Sequence, residues 1–419
     1  MIKWAFIILL LLVTNSCDKV TPRVKSCSIE GQNEFVYNLM QDRYLWNTTL
    51  PTLDYKNYSS PEKLLNDLKN SKDKWSFIID TKTLNQYFNE GKYIGIGIKF
   101  TKKDNDIYIS MVYRNSPANN AGITRGMKLI SINSKLVSNM TSQEIHDAFG
   151  ENKIGVKVDL ELESGNQINN YTLYKKEIQA NSVITSKIIQ NGNDKIGYIV
   201  FDKFVEFSNS ELDNAFANFK NNGVNKLIID LRYNGGGLLS VAQHLASLIH
   251  PDNGTFVNLQ FNANNSYKNS SYNYQNLNNS LQQVSSIYFI TTNATCSASE
   301  AVINGLKPYI NDITIIGKKT CGKPVGMVGA DFCGKSILPI EFKLTNLNGY
   351  GNYFGGITPT CYANDDLTHN FGDTNETMLK ATINYINNNT CNTQSNRLMR
   401  VVTNKQLKLY GMHKITGAF

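Results

Sequence analysis

The spacing of apolar residues changes character twice along the chain. Between residues 34 and 78, apolar side chains recur every three or four positions, and Ser60 followed by Pro61 is a typical helix start. From 92 to 175, alternating runs such as "DIYISMVY" and "KVDLELES" predict short strands, with one helix at "TSQEIHDAF". From 195 onward, apolar strands alternate with amphipathic helices, which predicts a parallel sheet in an α/β architecture.

These changes predict five segments along the 419 residues. We expect a signal peptide at 1–16, a tether and small helical domain at 17–88, a β-rich domain at 89–175, an α/β domain at 176–391 and a basic tail at 392–419. No internal repeat is visible.

Two stretches within these segments are interpreted further. The aromatic residues of the helical segment, Trp75 among them, are expected to form its core. Residues 262–283 are rich in Asn, Ser and Tyr and are interpreted as an exposed insertion whose tyrosines favour partial order.

Composition narrows the classes of function. Hydrophobic residues make up 41% of the chain, as in a globular protein, and the formal charge of +8 is spread over 42 basic and 34 acidic residues. The sequence has no dense Lys/Arg cluster of the kind that binds the phosphate backbone of a nucleic acid, so we expect no nucleic-acid partner. The five histidines are scattered and no cysteine pair has zinc-ligand spacing, so neither a metal nor another cofactor is expected.

The first residues, "MIKWAFIILLLLVTNS", read as a secretory signal. Lys3 precedes an apolar run that is too short to span a bilayer, and small or polar residues follow it. Cys17 after Ser16 resembles a bacterial lipoprotein processing site, although Thr14 and Asn15 are not its usual occupants. We expect an exported protein of the cell envelope, anchored to the membrane by lipidation of Cys17. The alternative is a cleaved signal that leaves Cys17 free or disulfide-bonded.

Six further cysteines permit disulfides in an oxidising compartment. They allow fifteen connectivities, and the sequence does not choose among them. A Cys296–Cys321 bridge and a Cys321–Cys333 bridge across a hairpin are two of the possibilities.

The segment "TNATCSASEAVINGLKPY" packs small hydroxyl and thiol side chains before a helical pattern. The pattern predicts a strand followed by a helix that begins near Ala298. Ser297 would then lie at the helix N-terminus, where free N–H groups favour developing negative charge. The simpler interpretation is a helix cap, with Ser297 or Ser299 as the capping residue and Glu300 completing a capping box from Ser297.

Two other segments favour a catalytic role for Ser297 over the simpler helix-cap interpretation. "LIIDLRYNGGG" ends a strand in three glycines, and "GKKTCGKPVGM" follows the strand after Ser297. Together with Ser-Ala-Ser-Glu, they resemble the carboxyl-terminal processing (tail-specific) serine proteases over residues 89 to about 385. The resemblance implies a multi-domain α/β fold: a small N-terminal helical domain, a PDZ-like β-rich domain and an α/β protease core.

The resemblance also implies a catalytic dyad. Ser297 would be the nucleophile and Lys323 its base, with the backbone N–H groups of Ala298 and Gly236 as the oxyanion hole. Lys323 must then be neutral, although a free lysine has a pKa of about 10.4, so burial has to lower it. Met327 stands where family members often carry a lysine-orienting Gln. A catalytically inactive, peptide-binding envelope lipoprotein of the same fold is therefore the alternative.

The PDZ resemblance rests on "YIGIGIKF" and the later "GITRGMKLISIN". PDZ domains bind peptide C-termini as an added strand, while loop amides hold the terminal carboxylate. The resemblance implies that proteins or peptides are bound by their C-termini. The carboxylate-binding residues would be Ile94, Gly95, Ile96 and Gly97.

Other candidate groups receive structural interpretations. Asp230 and Arg232 are expected to form an ion pair that holds the glycine turn, and His244 to be a packing or surface residue. No histidine lies in a pattern typical of a Ser-His-Asp triad, and Cys296 as a nucleophile lacks a His partner.

Overall fold

A computed structural model describes residues 23–251, 253–282, 284 and 286–391. The predicted signal peptide, Cys17 and the basic tail from 392 lie outside the described residues. Within those residues, no helix combines the length and apolar character needed to cross a bilayer.

The N-terminal segment contains three helices and one strand. Helix α1 spans Ile29–Arg43, α2 Pro61–Leu68, strand β1 Phe77–Asp80 and α3 Thr81–Glu90. Helix α2 starts as predicted, because the Ser60 hydroxyl accepts the Lys63 N–H at 3.3 Å and Pro61 occupies the first turn.

The PDZ-like segment follows without a break. Its strands and helices are β2 (Lys92–Gly95), β3 (Ile98–Lys103), β4 (Asp106–Val112), α4 (Pro117–Asn120), β5 (Lys128–Ile132), β6 (Lys135–Leu136), α5 (Ser142–Ala148), β7 (Lys157–Ser164), β8 (Gln167–Tyr174) and β9 (Lys176–Gln179). The sheet runs in the order β3-β4-β5-β7-β8, with β6 beside β5, so β3 is an edge strand. Strands β2 and β9 form a separate antiparallel pair.

The α/β segment supplies the remaining elements. They are β10 (Val183–Asn191), β11 (Asp194–Phe201), α6 (Ser208–Asn221), β12 (Lys226–Asp230), α7 (Leu239–Ile249), β13 (Thr255–Phe261), β14 (Ser270–Asn273), β15 (Ser286–Thr291), α8 (Ala298–Leu306), β16 (Ile313–Gly317), β17 (Val325–Met327), β18 (Ala330–Phe332), β19 (Lys335–Leu338), β20 (Ile340–Thr345), β21 (Cys361–Tyr362) and α9 (Thr377–Asn388).

The central sheet runs in the order β10-β11-β12-β15-β16-β21, and every pair except β10–β11 is parallel. Its strands alternate between two cores. Ile229 and Phe289 point to the side covered by α6, α7 and α8, whereas Ile228 and Ile290 point to the side covered by α9. This three-layer arrangement confirms the α/β architecture expected from the sequence.

A second sheet, β14-β13-β20-β17, is antiparallel and includes part of the Asn-rich stretch. The exposed-insertion interpretation of residues 262–283 is only partly right. Asn262 and Asn265 are buried and donate to the backbone carbonyl of Asp42, and Tyr274 lies in the core. Tyr267, by contrast, is exposed. Buried side-chain amides here satisfy carbonyls at the end of α1, which composition alone does not reveal.

The N-terminal helices share their core with the α/β segment. Phe35 lies 5.1 Å from the Phe332 ring, β1 pairs with β19, and a disulfide joins Cys27 to Cys333. Residues 23–88 therefore bury their apolar face against strands β17–β20 as well as among themselves. The exact boundaries between the segments stay predictions.

Candidate active site

Three neighbouring parallel strands end at one edge of the central sheet. The loop after β12 carries Gly236, the loop after β15 carries Ser297 and the loop after β16 carries Lys323. Because carboxyl ends of parallel strands lie together, the topology gathers residues that are distant in sequence, and ligands of open α/β sheets bind at such edges.

Ser297 directly precedes α8 and has φ +57° and ψ −114°. A non-glycine residue rarely adopts this region, so the backbone here is strained. A serine on a strained turn between a strand and a helix presents its Oγ at the surface of the sheet edge. The residue is partly exposed and lines a cavity.

Ser299 has a different environment. It is fully buried, and its hydroxyl donates to the Asn234 carbonyl at 3.0 Å, next to the bond from Cys296 N–H to the same oxygen. Its hydroxyl therefore fastens the start of α8 to the loop after β12. Of the two serines, Ser297 is the one that a substrate can reach.

Lys323 is 7% exposed and lines the same cavity as Ser297. Its Nζ lies 5.9 Å from the centre of the Trp75 ring and 4.0 Å from Met327 Sδ. The Lys323 side chain is therefore largely buried beside Trp75 and Met327, and the face of the Trp75 ring attracts a cation at this distance. Trp75 was expected in the core of the helical segment. It does pack against that core, but it is partly exposed and also reaches the cavity.

A buried carboxylate connects the two predicted catalytic loops. Glu300 is fully buried, and its Oε2 accepts the backbone N–H groups of Ser297 at 2.9 Å and Lys323 at 2.8 Å. Its Oε1 accepts the Gly322 N–H at 2.8 Å and the Thr320 hydroxyl at 2.5 Å. Burial raises the pKa of Glu300 above its ordinary value, and these four donors oppose that shift.

Sequence reasoning assigned Glu300 only to a capping box. The bond from Ser297 N–H to its carboxylate does fit that pattern, but the contacts to residues 320–323 are tertiary. The spacing Ser-x-x-Glu was the available signal. Nothing local indicated that the same carboxylate would also bind the loop after β16.

The Cys296–Cys321 disulfide is a second link between the two loops. Its Cα atoms are 5.2 Å apart, and it joins the residue before Ser297 to the residue two before Lys323. The other pairs are Cys27–Cys333 and Cys361–Cys391, so Cys321–Cys333 is not formed. The Cys296, Glu300 and Cys321 ligand atoms lie within 4.8 Å of one another, but a disulfide offers no thiolate to a metal.

The glycine turn lies against the predicted nucleophile. Gly236 has φ +100°, and a Cβ there would lie 2.7 Å from Ser297 Cβ and 2.9 Å from Ala298 N, so only glycine fits. The Gly236 N–H donates to Asn234 Oδ1 at 2.9 Å. The Ala298 N–H has no acceptor among the described residues, as expected for the first position of a helix.

Asp230 and Arg232 form the expected structural ion pair, with Arg232 Nη2 2.7 Å from Asp230 Oδ2. Arg232 also lies 2.8 Å from both Glu376 and Asp365, two partners that the sequence did not suggest. Asp365 in turn pairs with Arg125 of the PDZ-like segment at 2.8 Å. This buried network fixes the loop after β12 and connects it to the PDZ-like segment.

His244 packs on α7 with its side chain only 14% exposed, which is one of the two roles expected for it. Its Nε2 lies 3.0 Å from Asp213 Oδ1 on α6. It is not among the residues that line the cavity.

The cavity has a volume of about 600 Å³ and is enclosed by all three segments. Trp75, Phe77, Tyr87 and Phe88 come from the N-terminal segment, residues 99–104 and Ser110 from the PDZ-like segment, and the remainder from the α/β segment. A cavity of this size holds several residues of an extended peptide.

The four predicted carboxylate-binding residues divide into two structurally different pairs. Ile94 and Gly95 belong to β2 and pair with β9, whereas Ile96 and Gly97 form the turn into the edge strand β3. The Ile96 and Gly97 carbonyls accept N–H groups of Ala118 and Tyr113, and their own N–H groups have no partner in the described part of the chain. Their geometry suits a peptide carboxylate better than that of Ile94 and Gly95.

A buried polar cluster joins the PDZ-like segment to the α/β segment beside the cavity. Lys99 Nζ lies 2.6 Å from Asp202 Oδ1, and Lys203 Nζ donates to the Tyr113 hydroxyl at 2.7 Å. Burial lowers the pKa of Lys203 to about 8, against the opposing effect of Asp202.

Three family descriptions match the chain in order. Residues 31–77 match the Peptidase S41 N-terminal domain, 84–163 the PDZ domain and 195–362 Peptidase family S41. Two curated relatives carry the name "Probable CtpA-like serine protease". One is from Staphylococcus saprophyticus subsp. saprophyticus (28% identity, 75% of this chain, 60% of the relative), and the other from Staphylococcus aureus strain N315 (29%, 70% and 57%). The chain thus spans about 60% of the length of these relatives.

Solved structures agree with the fold. A chain assigned to the S41 proteases from Bacteroides fragilis NCTC 9343 superposes with a TM-score of 0.66 at 25% identity, over 85% of this chain and 97% of that one. The photosystem II D1 C-terminal processing protease gives a TM-score of 0.53 at 18% identity, over 85% and 97%. The second similarity concerns the fold alone.

We predict that Glu300→Gln lowers both activity and stability. An amide nitrogen would face backbone N–H groups, so two or more charge-assisted hydrogen bonds are lost, each worth roughly 1.5–3 kcal/mol. The free energy of unfolding in urea should fall by about 3 kcal/mol, and kcat for a peptide substrate by at least about tenfold. Glu62→Gln, which removes a partly exposed pair with Lys335, is the control and should cost less than about 1 kcal/mol. Unchanged kcat in Glu300→Gln would contradict the positioning role.

We also predict a specific effect of the disulfide near Ser297. Cys296→Ser with Cys321→Ser opens a bridge of sequence separation 25 and should destabilise the fold by about 3 kcal/mol. Cys361→Ser with Cys391→Ser opens a bridge of separation 30 and is the matched control. Both pairs should lower the thermal midpoint similarly, but only the first should reduce peptide cleavage, by at least about tenfold. Equal losses of cleavage in the two variants would show that the bridge near Ser297 acts through global stability alone.

Proposed function

Because the chain belongs to peptidase family S41, we propose that it is an exported serine endopeptidase in which Ser297 is the nucleophile and Lys323 the general base. One observation carries this proposal. Ser297 and Lys323 line one cavity, and the same buried carboxylate of Glu300 binds both of their backbone N–H groups.

The chemistry follows from these positions. Ser297 Oγ attacks the scissile carbonyl carbon as its proton passes to Lys323 Nζ, and the C–N bond breaks as that proton is delivered to the leaving amine. Water then attacks the acyl-enzyme as one of its protons passes to Lys323, and the ester bond breaks as Lys323 returns that proton to Ser297 Oγ. The second product leaves with a free carboxylate.

The negative charge on the carbonyl oxygen needs donors at the helix start. The Ala298 N–H is available there, at the positive end of the α8 dipole. Gly236 acts as the second donor when its N–H turns from Asn234 Oδ1 to the substrate oxygen. Each such donor is worth roughly 3 kcal/mol in the transition state.

Substrate delivery is assigned to the PDZ domain. A polypeptide C-terminus would add as a strand along the edge of β3, with its carboxylate on the N–H groups of Ile96 and Gly97. Residues 99–104 of the same hairpin line the cavity that contains Ser297, so a tail bound at this edge lies close to the nucleophile.

The second candidate is a peptide-binding lipoprotein without catalysis. Met327 favours it, because a thioether 4.0 Å from Lys323 Nζ orients an amine less firmly than the amide oxygen of a Gln would.

Cleavage of an unstructured protein with an apolar C-terminus, followed by mass spectrometry, separates the two candidates. Ser297→Ala and Lys323→Ala should each reduce cleavage by at least about 10³-fold. Ser210→Ala and Lys319→Ala are the matched controls, because both side chains are exposed and lie outside the cavity lining. Both should retain most of the activity. Cleavage that persists in Ser297→Ala or Lys323→Ala would exclude the dyad, and an inactive wild type that still binds the tail would favour the binding protein.

Export and membrane attachment are proposed from Cys17 and the apolar run before it. In a bacterial host, the protein should incorporate labelled fatty acid and sediment with membranes, whereas Cys17→Ala should incorporate none and remain in the supernatant after cell disruption. Cys27→Ala is the control, because Cys27 is disulfide-bonded and should not affect labelling. Labelling that survives in Cys17→Ala would refute the anchor.

A further inference from the structure

The lining of the cavity that contains Ser297 has more lysines than carboxylates. It includes six lysines and three aspartates. The lysines are Lys99, Lys102, Lys103, Lys203, Lys318 and Lys323.

Two of the aspartates are already neutralised by ion pairs. Asp202 pairs with Lys99 and Lys203, and Asp365 pairs with Arg125 and Arg232. The third, Asp104, is exposed at the tip of the β3–β4 hairpin.

Lys102, Lys103 and Lys318 differ from the other lysines of the cavity. Within the described part of the chain, no carboxylate lies within ion-pair distance of any of the three. Lys102 and Lys103 end strand β3 of the PDZ-like segment, and Lys318 directly follows β16. They therefore face the cavity from two different segments.

Lys318 has a fixed backbone. Its N–H donates to the Thr291 carbonyl at 2.8 Å and its carbonyl accepts the Thr291 hydroxyl at 2.7 Å, at the end of the strand that leads to Ser297. Burial lowers the pKa of Lys318, Asp365 opposes this, and the charge of Lys103 lowers it further. Lys103 and Lys318 line the same cavity, so their like charges repel each other there and an anion bound between them would relieve that repulsion.

We propose that Lys102, Lys103 and Lys318 form a subsite for an acidic side chain of the polypeptide substrate, so that the enzyme prefers Asp or Glu near the scissile bond. The inference rests on the proposed peptidase function and specifies its substrate class. A substrate carboxylate at this position would also join the PDZ domain to the α/β core, because its two sets of partners belong to different segments.

The test uses the full-length protein and a peptide that the wild type cleaves. Each residue within six positions of the scissile bond is replaced in turn by Glu, Gln or Lys, and kcat/KM is measured. At one or two positions we expect Glu to exceed Gln by about tenfold in 50 mM salt, and Lys to fall below Gln. The preference should shrink to less than about threefold in 1 M salt, where the Debye length is about 3 Å.

Variants assign the preference to the three lysines. In Lys102→Gln/Lys103→Gln/Lys318→Gln, the Glu-to-Gln ratio should fall to about 1–2, whatever the absolute rate. Replacing the exposed residues Lys135, Lys153 and Lys380 by Gln removes the same charge outside the cavity lining and should leave the ratio unchanged. Lys103→Arg with Lys318→Arg should retain it.

Binding to Ser297→Ala, followed by fluorescence anisotropy of the same labelled peptides, separates this inference from the catalytic proposal. Tighter binding of the Glu peptide without cleavage by the wild type would support the subsite and refute the peptidase. Equal cleavage and equal binding of Glu and Gln peptides would overturn the subsite alone. A preference that disappears when the peptide C-terminus is amidated would assign the site to the terminal carboxylate and overturn the side-chain proposal.

Discussion

The buried carboxylate of Glu300 is the constraint on which the candidate active site depends. A fully buried carboxylate is costly unless donors surround it, and here the donors are the backbone of Ser297, Gly322 and Lys323 and the Thr320 hydroxyl. Displacing either loop would leave a buried charge without its hydrogen bonds. The carboxylate therefore restrains the positions of the Ser297 and Lys323 backbones, the proposed nucleophile and base, through their N–H groups. The Cys296–Cys321 bridge restrains the same two loops covalently, so one noncovalent and one covalent link hold the geometry.

The cavity beside this linkage belongs to no single segment. Trp75 comes from the N-terminal segment, Lys99 to Asp104 from the PDZ domain, and Ser297 and Lys323 from the α/β core. The N-terminal segment reaches the cavity because its helices pack against β17–β20 and the Cys27–Cys333 disulfide links it to the same region. The PDZ domain reaches it through two buried polar contacts, Lys99 with Asp202 and Arg125 with Asp365. Separating either pair would leave a buried charge without its partner, which strongly destabilises a protein. These contacts therefore favour one docked arrangement of the domains.

Segments with strong local periodicity were predictable from the sequence. Strand β7 spans the same residues, 157–164, as the alternating run that predicted it, and α5 and α8 lie where their patterns begin. The structural role of Asp230 and Arg232 was also anticipated, and Ser297 precedes α8 as expected. The exposed interpretation of residues 262–283 failed in part, because polar composition does not reveal that Asn262 and Asn265 serve buried carbonyls at the end of α1. Trp75 packs against the expected core, but its second position at the cavity was not predictable, because no local pattern shows that a core aromatic residue also reaches another segment's cavity.

The sequence by itself determined the order of the elements, the α/β class of the core and the residue types able to carry serine-peptidase chemistry, because periodicity, turn residues and helix starts are local properties of the chain. Only the tertiary structure decided which of fifteen cysteine pairings forms, that Glu300 binds the Lys323 loop, and that Lys103 and Lys318 line one cavity. These features join residues from about 20 to more than 300 positions apart. Their formation depends on strand order and on how the three segments pack, and neither is encoded in any short stretch of sequence.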